Sequence, residues 1–324
     1  MRKTFLTFVL FCLICTGVFA LPSDFRLRAM GNASACDTSD NGIIFNNPAA
    51  LYFHNSEDFL NVHVSLSDFH SSSDTVKWPF LPGGDFHARF AGKFLAFTGS
   101  IMTQSVLHNG NYDSIRTFAA DISATAGWRD FVSVGIGLNA GLESERSGFR
   151  VSDNNRLMDF LRNMVAGEYR RVDESEYAVA RIGAQVSYGG FRFGILAPQV
   201  YTYREGGGVF SADGLSVGIA YNGNKYHGRA RLNTMVLSAL AEIHDIASKV
   251  KSLHAGMELT VNITSSNKFS LRAGYESPLT DMSSGTLTLG ACAVSGRFEM
   301  NAFVEMPMYD TKTYSYAVDF VIYY

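Results

Sequence analysis

After its first 20 residues the 324-residue chain has no uninterrupted apolar stretch of about 18 residues, so no helix of it is long and greasy enough to span a bilayer. Cysteine is almost absent. Of four in all, Cys12 and Cys15 fall in the first 20 residues, and the remaining pair, Cys36 and Cys292, makes neither a disulfide framework nor metal-ligand spacing. Charge is scarce too, at 18% of residues with a formal net charge of −3, which argues against a nucleic-acid surface. The eight histidines include no His-Glu-x-x-His, and no arrangement of residues calls for a metal or a cofactor. What the chain does have is apolar surface: 47% of residues are hydrophobic and 13% aromatic. With no long run to absorb that surface, it must be spread over many short elements.

The first 20 residues read as a signal peptide. Arg2 and Lys3 form a basic start, Phe5 to Cys15 is apolar but too short for an anchor, and Val18-Phe19-Ala20 predicts cleavage near Ala20. The leader holds two of the 27 basic residues and none of the 30 acidic ones, so the expected mature chain carries −5.

From residue 57 the dominant period is two. Leu60, Val62, Val64 and Leu66 alternate with Asn61, His63, Ser65 and Ser67. Val132, Val134, Ile136, Leu138, Ala140 and Leu142 alternate with Ser133, Gly135, Gly137, Asn139, Gly141 and Glu143. Further strands are expected to begin near Phe94, Phe118, Tyr177, Phe191, Leu215, Tyr226, Leu253, Phe269, Leu287, Phe298 and Tyr316. A soluble sandwich or lipocalin-like barrel has the same period with its apolar face inward. Three features separate the cases: the leader, segments of about 9 to 12 residues that suit a tilted membrane strand, and a final apolar-alternating strand closing on Tyr324. The expected fold is therefore all-β, a transmembrane antiparallel β-barrel over 57–324. About 14 strands would use about 19 residues each with their connections. Asn155 to Glu168 and Met235 to Lys251 break the period and predict loop helices, the second with Leu237, Leu240, Ala241, Ile243, Ile246 and Val250 along one face.

Between leader and strands, Arg28 to Leu51 is rich in small residues and ends at a helix start: Asn47 as N-cap, Pro48 at the first helical position, then Ala49, Ala50 and Leu51. This stretch resembles the N-terminal hatch of the FadL/TodX long-chain fatty-acid transporters of bacterial outer membranes, through Gly31, Ala33, Ala35, Asp40, Asn41, Asn47, Pro48, Ala49 and Leu51. Among those proteins it looks nearest to the shorter FadL-like proteins of treponemal spirochaetes. The resemblance implies a 14-strand barrel plugged by a hatch over 21–56. It implies a location in the outer membrane, with barrel-assembly machinery and outer-membrane lipid as partners. It also implies passive uptake of a hydrophobic small molecule, a long-chain fatty acid or similar lipid, without cofactor or reaction. A second reading of the same pattern is a structural or interaction barrel whose loops, at 69–84 and 144–176, hold a protein partner or act as a surface antigen.

The alternation also assigns charges to the lumen. Arg181, Arg192, Arg229, Arg231 and Arg272 point inward, as do Asp121, Glu143, Glu258, Glu299, Glu305 and Asp319. They either pair with one another and the hatch, or an arginine fork receives a substrate carboxylate. Gly214-Leu215-Ser216-Val217-Gly218 fits the nucleophile-elbow pattern but falls within an alternating strand, and Gly135 and Gly137 are read as making room in a filled lumen. Cys292 is expected to point inward and Cys36 to lie in the plug, both unpaired, a single plug-to-wall bridge being the alternative.

Overall fold

The computed structural model describes residues 25–36, 47–53, 60–71, 84–92, 94–108, 111–149, 170–204, 206–222, 234–264, 266–309 and 313–323. Among the described residues there are fifteen strands: β1 Leu60–Ser71, β2 Gly84–Ala91, β3 Leu95–His108, β4 Asn111–Trp128, β5 Val132–Phe149, β6 Arg170–Tyr188, β7 Phe191–Arg204, β8 Gly207–Phe210, β9 Ser216–Asn222, β10 Thr234–His244, β11 Ser252–Asn262, β12 Asn267–Pro278, β13 Thr286–Ser295, β14 Phe298–Pro307 and β15 Thr313–Tyr323. All pair antiparallel, sequence neighbours side by side except β8 and β9, and the first pairs with the last, Val62 opposite Ile322. β6 pairs with β7 on one side, while β9 and the short β8 share the other edge of β7 at different heights. The sheet thus closes on itself with fourteen strand positions, β8 and β9 together filling one of them. Closure leaves no ladder edge to satisfy, the condition for a sheet in hydrocarbon.

One place in the wall is irregular. Pro198 interrupts β7, where Pro198, Gln199 and Val200 stand against the single residue Arg181 of β6, and on the other side the ladder lapses between β8 and β9. Proline has no N–H to give a ladder, which accounts for the lapse. The β10–β11 loop staples the break: Asp245 accepts from the Gly214 N–H at 2.8 Å, and Ile246 N–H donates to the Leu215 carbonyl at 2.9 Å.

The outer face is apolar. Phe118, Ile122, Val134, Ile136, Leu138, Ile182, Phe193, Met257, Leu271 and Phe320 are exposed, while the residues between them, Asp121, Ser133, Arg181, Glu258 and Asp319, are buried. Such an arrangement cannot face water; it is the lipid face of a membrane barrel. Exposed Phe94, Trp128, Phe131, Tyr188, Phe191 and Phe298 all lie at the end where the short turns are, as an aromatic girdle at one interface should. Leu138→Arg, well inside the apolar band, is expected to destabilise the folded barrel in bilayers by about 2–4 kcal/mol. Urea titration in liposomes would measure it.

One expectation is corrected. Thr234–His244 is a strand, not the start of a helix over Met235 to Lys251. Its outward residues Met235, Leu237 and Ile243 are exposed, but Val236 and Leu240 on the inner face are apolar as well, and Leu240 packs on Leu27, Met30 and Ala33. Apolar residues on both faces blurred the period of two into one resembling 3.6. Gly84–Ala91, which the periodicity left unassigned, is also a strand; its Phe86, Ala88, Phe90 alternation is too brief to stand out. The expected helix over Asn155 to Glu168, the strand from Tyr226, and the residues Asp40, Asn41, Arg229 and Arg231 lie outside the described residues.

Candidate functional site

The described part of the N-terminal stretch, residues 25–36 and 47–53, sits inside the ring. It touches β4, β5, β6, β7, β9, β11, β12, β13 and β14, which lie on different sides of the barrel, and only a segment within the lumen reaches them all. We call it the luminal segment. It opens with one helical turn, α1 (Phe25–Arg28), and ends in a 3-10 helix, η1 (Pro48–Phe53). Leu27, Ala29, Met30, Ala33, Ala35, Ala49, Ala50 and Leu51 are all nearly inaccessible. Each of the small apolar clusters among the described residues joins this segment to the wall: Ala29 with Phe303 and Ala317, Leu27, Met30 and Ala33 with Leu240, Ala35 and Cys36 with Leu196, and Ala50 and Leu51 with Ala96.

The wall is shaped to receive it. Three cross-strand pairs of glycines, Gly135 with Gly183, Gly194 with Gly218 and Gly256 with Gly274, face the lumen. A Cβ on Gly183 would collide with the Asn47 side chain, on Gly135 with Pro48 and Ala49 backbone, on Gly194 with Ala35, and on Gly256 or Gly274 with Met30 and Gly31. Gly31 is glycine for two reasons. Its φ is +76°, and a Cβ there would lie 2.5 Å from the Ala255 carbonyl oxygen.

Asn47 is the pin of the later half. Its Oδ1 accepts from Ala49 N–H at 3.0 Å, capping η1 as the sequence implied, although the helix that follows is 3-10. Its Nδ2 donates to the carbonyls of Ala35 at 2.7 Å and of Ile195 at 3.0 Å, tying the two halves of the segment together and to β7. Gln185 Nε2 donates to the same Ala35 oxygen at 2.9 Å, and Ser133 Oγ to the Ala49 carbonyl at 2.9 Å. Pro48 and Ala49 are buried. Asn47→Ala removes the cap and the carbonyl contacts and is expected to cost about 1–2 kcal/mol. Faster hydrogen exchange at Ala49 and Ala50 would report it.

Ion pairs complete the attachment. Arg28 grips Glu305 with two hydrogen bonds, at 2.9 and 2.7 Å, and lies over the Phe303 ring. Arg26 reaches both oxygens of Glu258, which also receives Arg272 Nε at 2.6 Å. Arg272 continues to Asn301 Oδ1 at 2.6 Å, Asn301 donates to Glu299, and Tyr323 OH donates to the other Glu299 oxygen. Arg181 binds both oxygens of Asp121 at 2.6 Å and Ser123 Oγ at 2.9 Å. It reaches them by lying flat over Gly137 of the intervening strand, where a Cβ would collide with the guanidinium. Arg192 is buried with its guanidinium 4.7 Å from the Phe53 ring. Thus Arg181 and Arg272 are engaged by the protein's own acceptors.

Toward the short-turn end the segment leaves a cavity of about 270 Å³, whose charged lining is Arg26, Arg192, Lys268, Arg272, Glu258 and Glu299. Cys36 and Cys292 also border it, and no disulfide joins them, as expected. Ser216 of the elbow-like stretch lies at the start of β9 with no helix after it, and its hydroxyl donates to the Gly214 carbonyl.

No protein-family model and no curated protein sequence matches the chain. Solved structures do. The Pseudomonas putida toluene transporter TodX superposes over 95% of this chain and 99% of its own, with TM-score 0.58 and 12% identity. This is the fold of the FadL/TodX channels. The Ralstonia pickettii toluene transporter TbuX gives 0.54 at 13% identity, over 95% and 98%. The monoaromatic hydrocarbon channel CymD gives 0.59 at 11% over 92% and 97%. At such identity the FadL/TodX likeness rests on barrel geometry, not on shared side chains.

Sequence reasoning missed Glu242, His254 and Gln185 as anchors of the luminal segment. Glu242 was assigned to the expected helix. The other two are inward residues of ordinary alternating strands, and only the position of Gly31 and Ala35 distinguishes them from their neighbours.

Proposed function

We propose that the protein is an outer-membrane channel for passive uptake of hydrophobic small molecules, with the luminal segment as its hatch. What supports this reading is a fourteen-position membrane barrel whose lumen holds the described part of its own N-terminal stretch, on the fold of hydrocarbon channels. The uncommitted arginine forks that a carboxylate would need are not at Arg181 and Arg272, since a fatty-acid head would have to displace Asp121 or Glu258. That favours an uncharged hydrocarbon, of the kind named for TodX and CymD, over a long-chain fatty acid at those positions. The charged cavity at the short-turn end is a poor path for such a molecule, whereas the lapse in the ladder beside Pro198 lies against lipid and supports exit through the wall.

The ion pairs that fill the lumen support a second reading, an interaction barrel that transports nothing. Binding of labelled toluene and labelled oleate to the refolded protein in liposomes separates the cases. Saturable toluene binding is expected, weaker for oleate. Saturable oleate binding lost on substituting Arg192 would restore the fatty acid. No saturable binding of either would sink uptake and leave the interaction barrel.

A further inference from the structure

The wall beside Pro198 has a seam that is closed mainly by contact. The ladder between β7 and β9 ends at Leu196 opposite Ser216, and the ladder between β7 and β8 begins at Tyr201 opposite Phe210, so residues 197–200 have no ladder partner on that side. The chain between β8 and β9, residues 212–215, spans the gap. Three of its N–H groups are met away from β7: Asp213 by Ser211 Oγ at 2.8 Å, Gly214 by Asp245 Oδ1 at 2.8 Å and Leu215 by the Ala212 carbonyl at 3.2 Å. The Gly214 carbonyl accepts from Ser216 Oγ at 2.6 Å, and the Leu215 carbonyl from Ile246 N–H at 2.9 Å. Toward β7, the flanking Ser211 N–H reaches the Val200 carbonyl at 3.2 Å, and Gly214 lies on the Pro198 ring, where a Cβ would come within 2.6 Å of Cγ. Residues 212–215 are thus tied to the β10–β11 loop and can part from Pro198 without baring a ladder to hydrocarbon.

The seam lies in the outer half of the membrane. Pro198 stands seven residues beyond Phe191 of the short-turn girdle. At about 3.3 Å per residue and a tilt of about 40°, that is about 18 Å up an apolar band about 25 Å tall, and the short turns mark the periplasmic side. Outside the seam is lipid, since Ala197 pairs with the exposed Ile182. Inside it, Cys36 of the luminal segment packs on Leu196, with its Sγ 3.0 and 3.2 Å from where Cβ atoms on Gly194 and Gly218 would lie. We propose that residues 212–215 are a shutter between the outer leaflet and the lumen, held shut by Asp245, through which hydrophobic molecules dissolved in that leaflet exchange with the lumen. The shutter rests on the passage through the wall proposed above and supplies its moving part.

Cys36 is a native reporter for it, because the buried thiol lies just behind the seam. In the refolded full chain in liposomes, modification of Cys36, read by peptide mass, is followed with two reagents. One is a maleimide dissolved in the lipid; the other is a sulfonated, membrane-impermeant maleimide, for which the cavity bordering Cys36 is the way in. Asp245 has φ +57°, which glycine adopts without strain, so Asp245→Gly removes the staple and keeps the turn. It is expected to raise the lipid-borne rate about tenfold, the factor for one lost hydrogen bond to a charged acceptor, and to leave the water-borne rate unchanged. Asp245→Asn tolerates the same backbone and keeps an acceptor oxygen, so it is expected to stay near wild type. Gly214→Ala, whose Cβ would press on Pro198, is expected to raise the lipid-borne rate as well and covers the case of an Asp245 variant that does not fold. A lipid-borne rate unchanged in Asp245→Gly and Gly214→Ala, or a rise shared by both reagents, would overturn the shutter. Saturable toluene binding without the Cys36 response sinks the shutter and leaves uptake; the Cys36 response without toluene binding sinks uptake and leaves the shutter.

Discussion

Arg181→Ala is expected to destabilise the folded barrel by about 3–5 kcal/mol, the cost of leaving one member of a buried ion pair without the other. Asp121 is 2% exposed and Arg181 4%, so the carboxylate left behind has little water to turn to. Both oxygens of Asp121 are bound by the guanidinium at 2.6 Å, a two-pronged contact that alanine removes completely. Urea unfolding in liposomes, followed by the mobility shift of the folded barrel on gels, measures the loss. The double variant Asp121→Leu with Arg181→Met separates the cost of a broken pair from the worth of the pair itself. It is expected to recover most of the stability, since a hydrophobic replacement of a whole buried pair is often neutral. A double variant as unstable as Arg181→Ala would show instead that the pair contributes net stability.

Gly183→Val is expected to unseat the luminal segment rather than unfold the barrel. The strand backbone at Gly183 is regular and accepts a β-branched residue, which the ladder favours. The new side chain would occupy the space of the Asn47 amide, and Asn47 cannot retreat without losing its bonds to Ala35 and Ile195. Overpacking of this kind costs about 1–3 kcal/mol, and each 1.4 kcal/mol shifts the seated-to-displaced ratio about tenfold. Conductance in planar bilayers should rise accordingly while the resistance of the barrel to urea stays near wild type. Gly99 is the control, because a Cβ there meets nothing within 4 Å and Gly99→Val should leave conductance unchanged.

The barrel was legible because its cause is local. Each alternating strand must turn one face to lipid and one to the lumen, and the exposed Ile136 and Leu138 beside buried Ser133 and Arg181 show that it does. The Asn47-Pro48 corner was legible for the same reason, since a cap and its helix start are neighbours in sequence. The β10 strand was not legible. Its inner face meets the apolar Leu27 and Met30 of a segment more than 200 residues away, and so carries Leu240 where a polar residue would have marked the period.

By itself, then, the sequence determined the membrane barrel, its approximate strand number, the inward placing of Arg181, Arg192 and Arg272, and the small-residue character of the stretch that fills it. Periodicity and turn chemistry act between residues close in the chain, and a single sequence displays them directly. Only the tertiary structure decided which inward groups meet: that Arg181 answers Asp121 across Gly137, that Arg26 and Arg272 share Glu258, and that paired glycines on three pairs of neighbouring strands form the seats for Met30, Ala35 and Asn47. Those contacts depend on closure of the ring and on the path of the luminal segment inside it, and both join residues whose separation along the chain leaves no local signal.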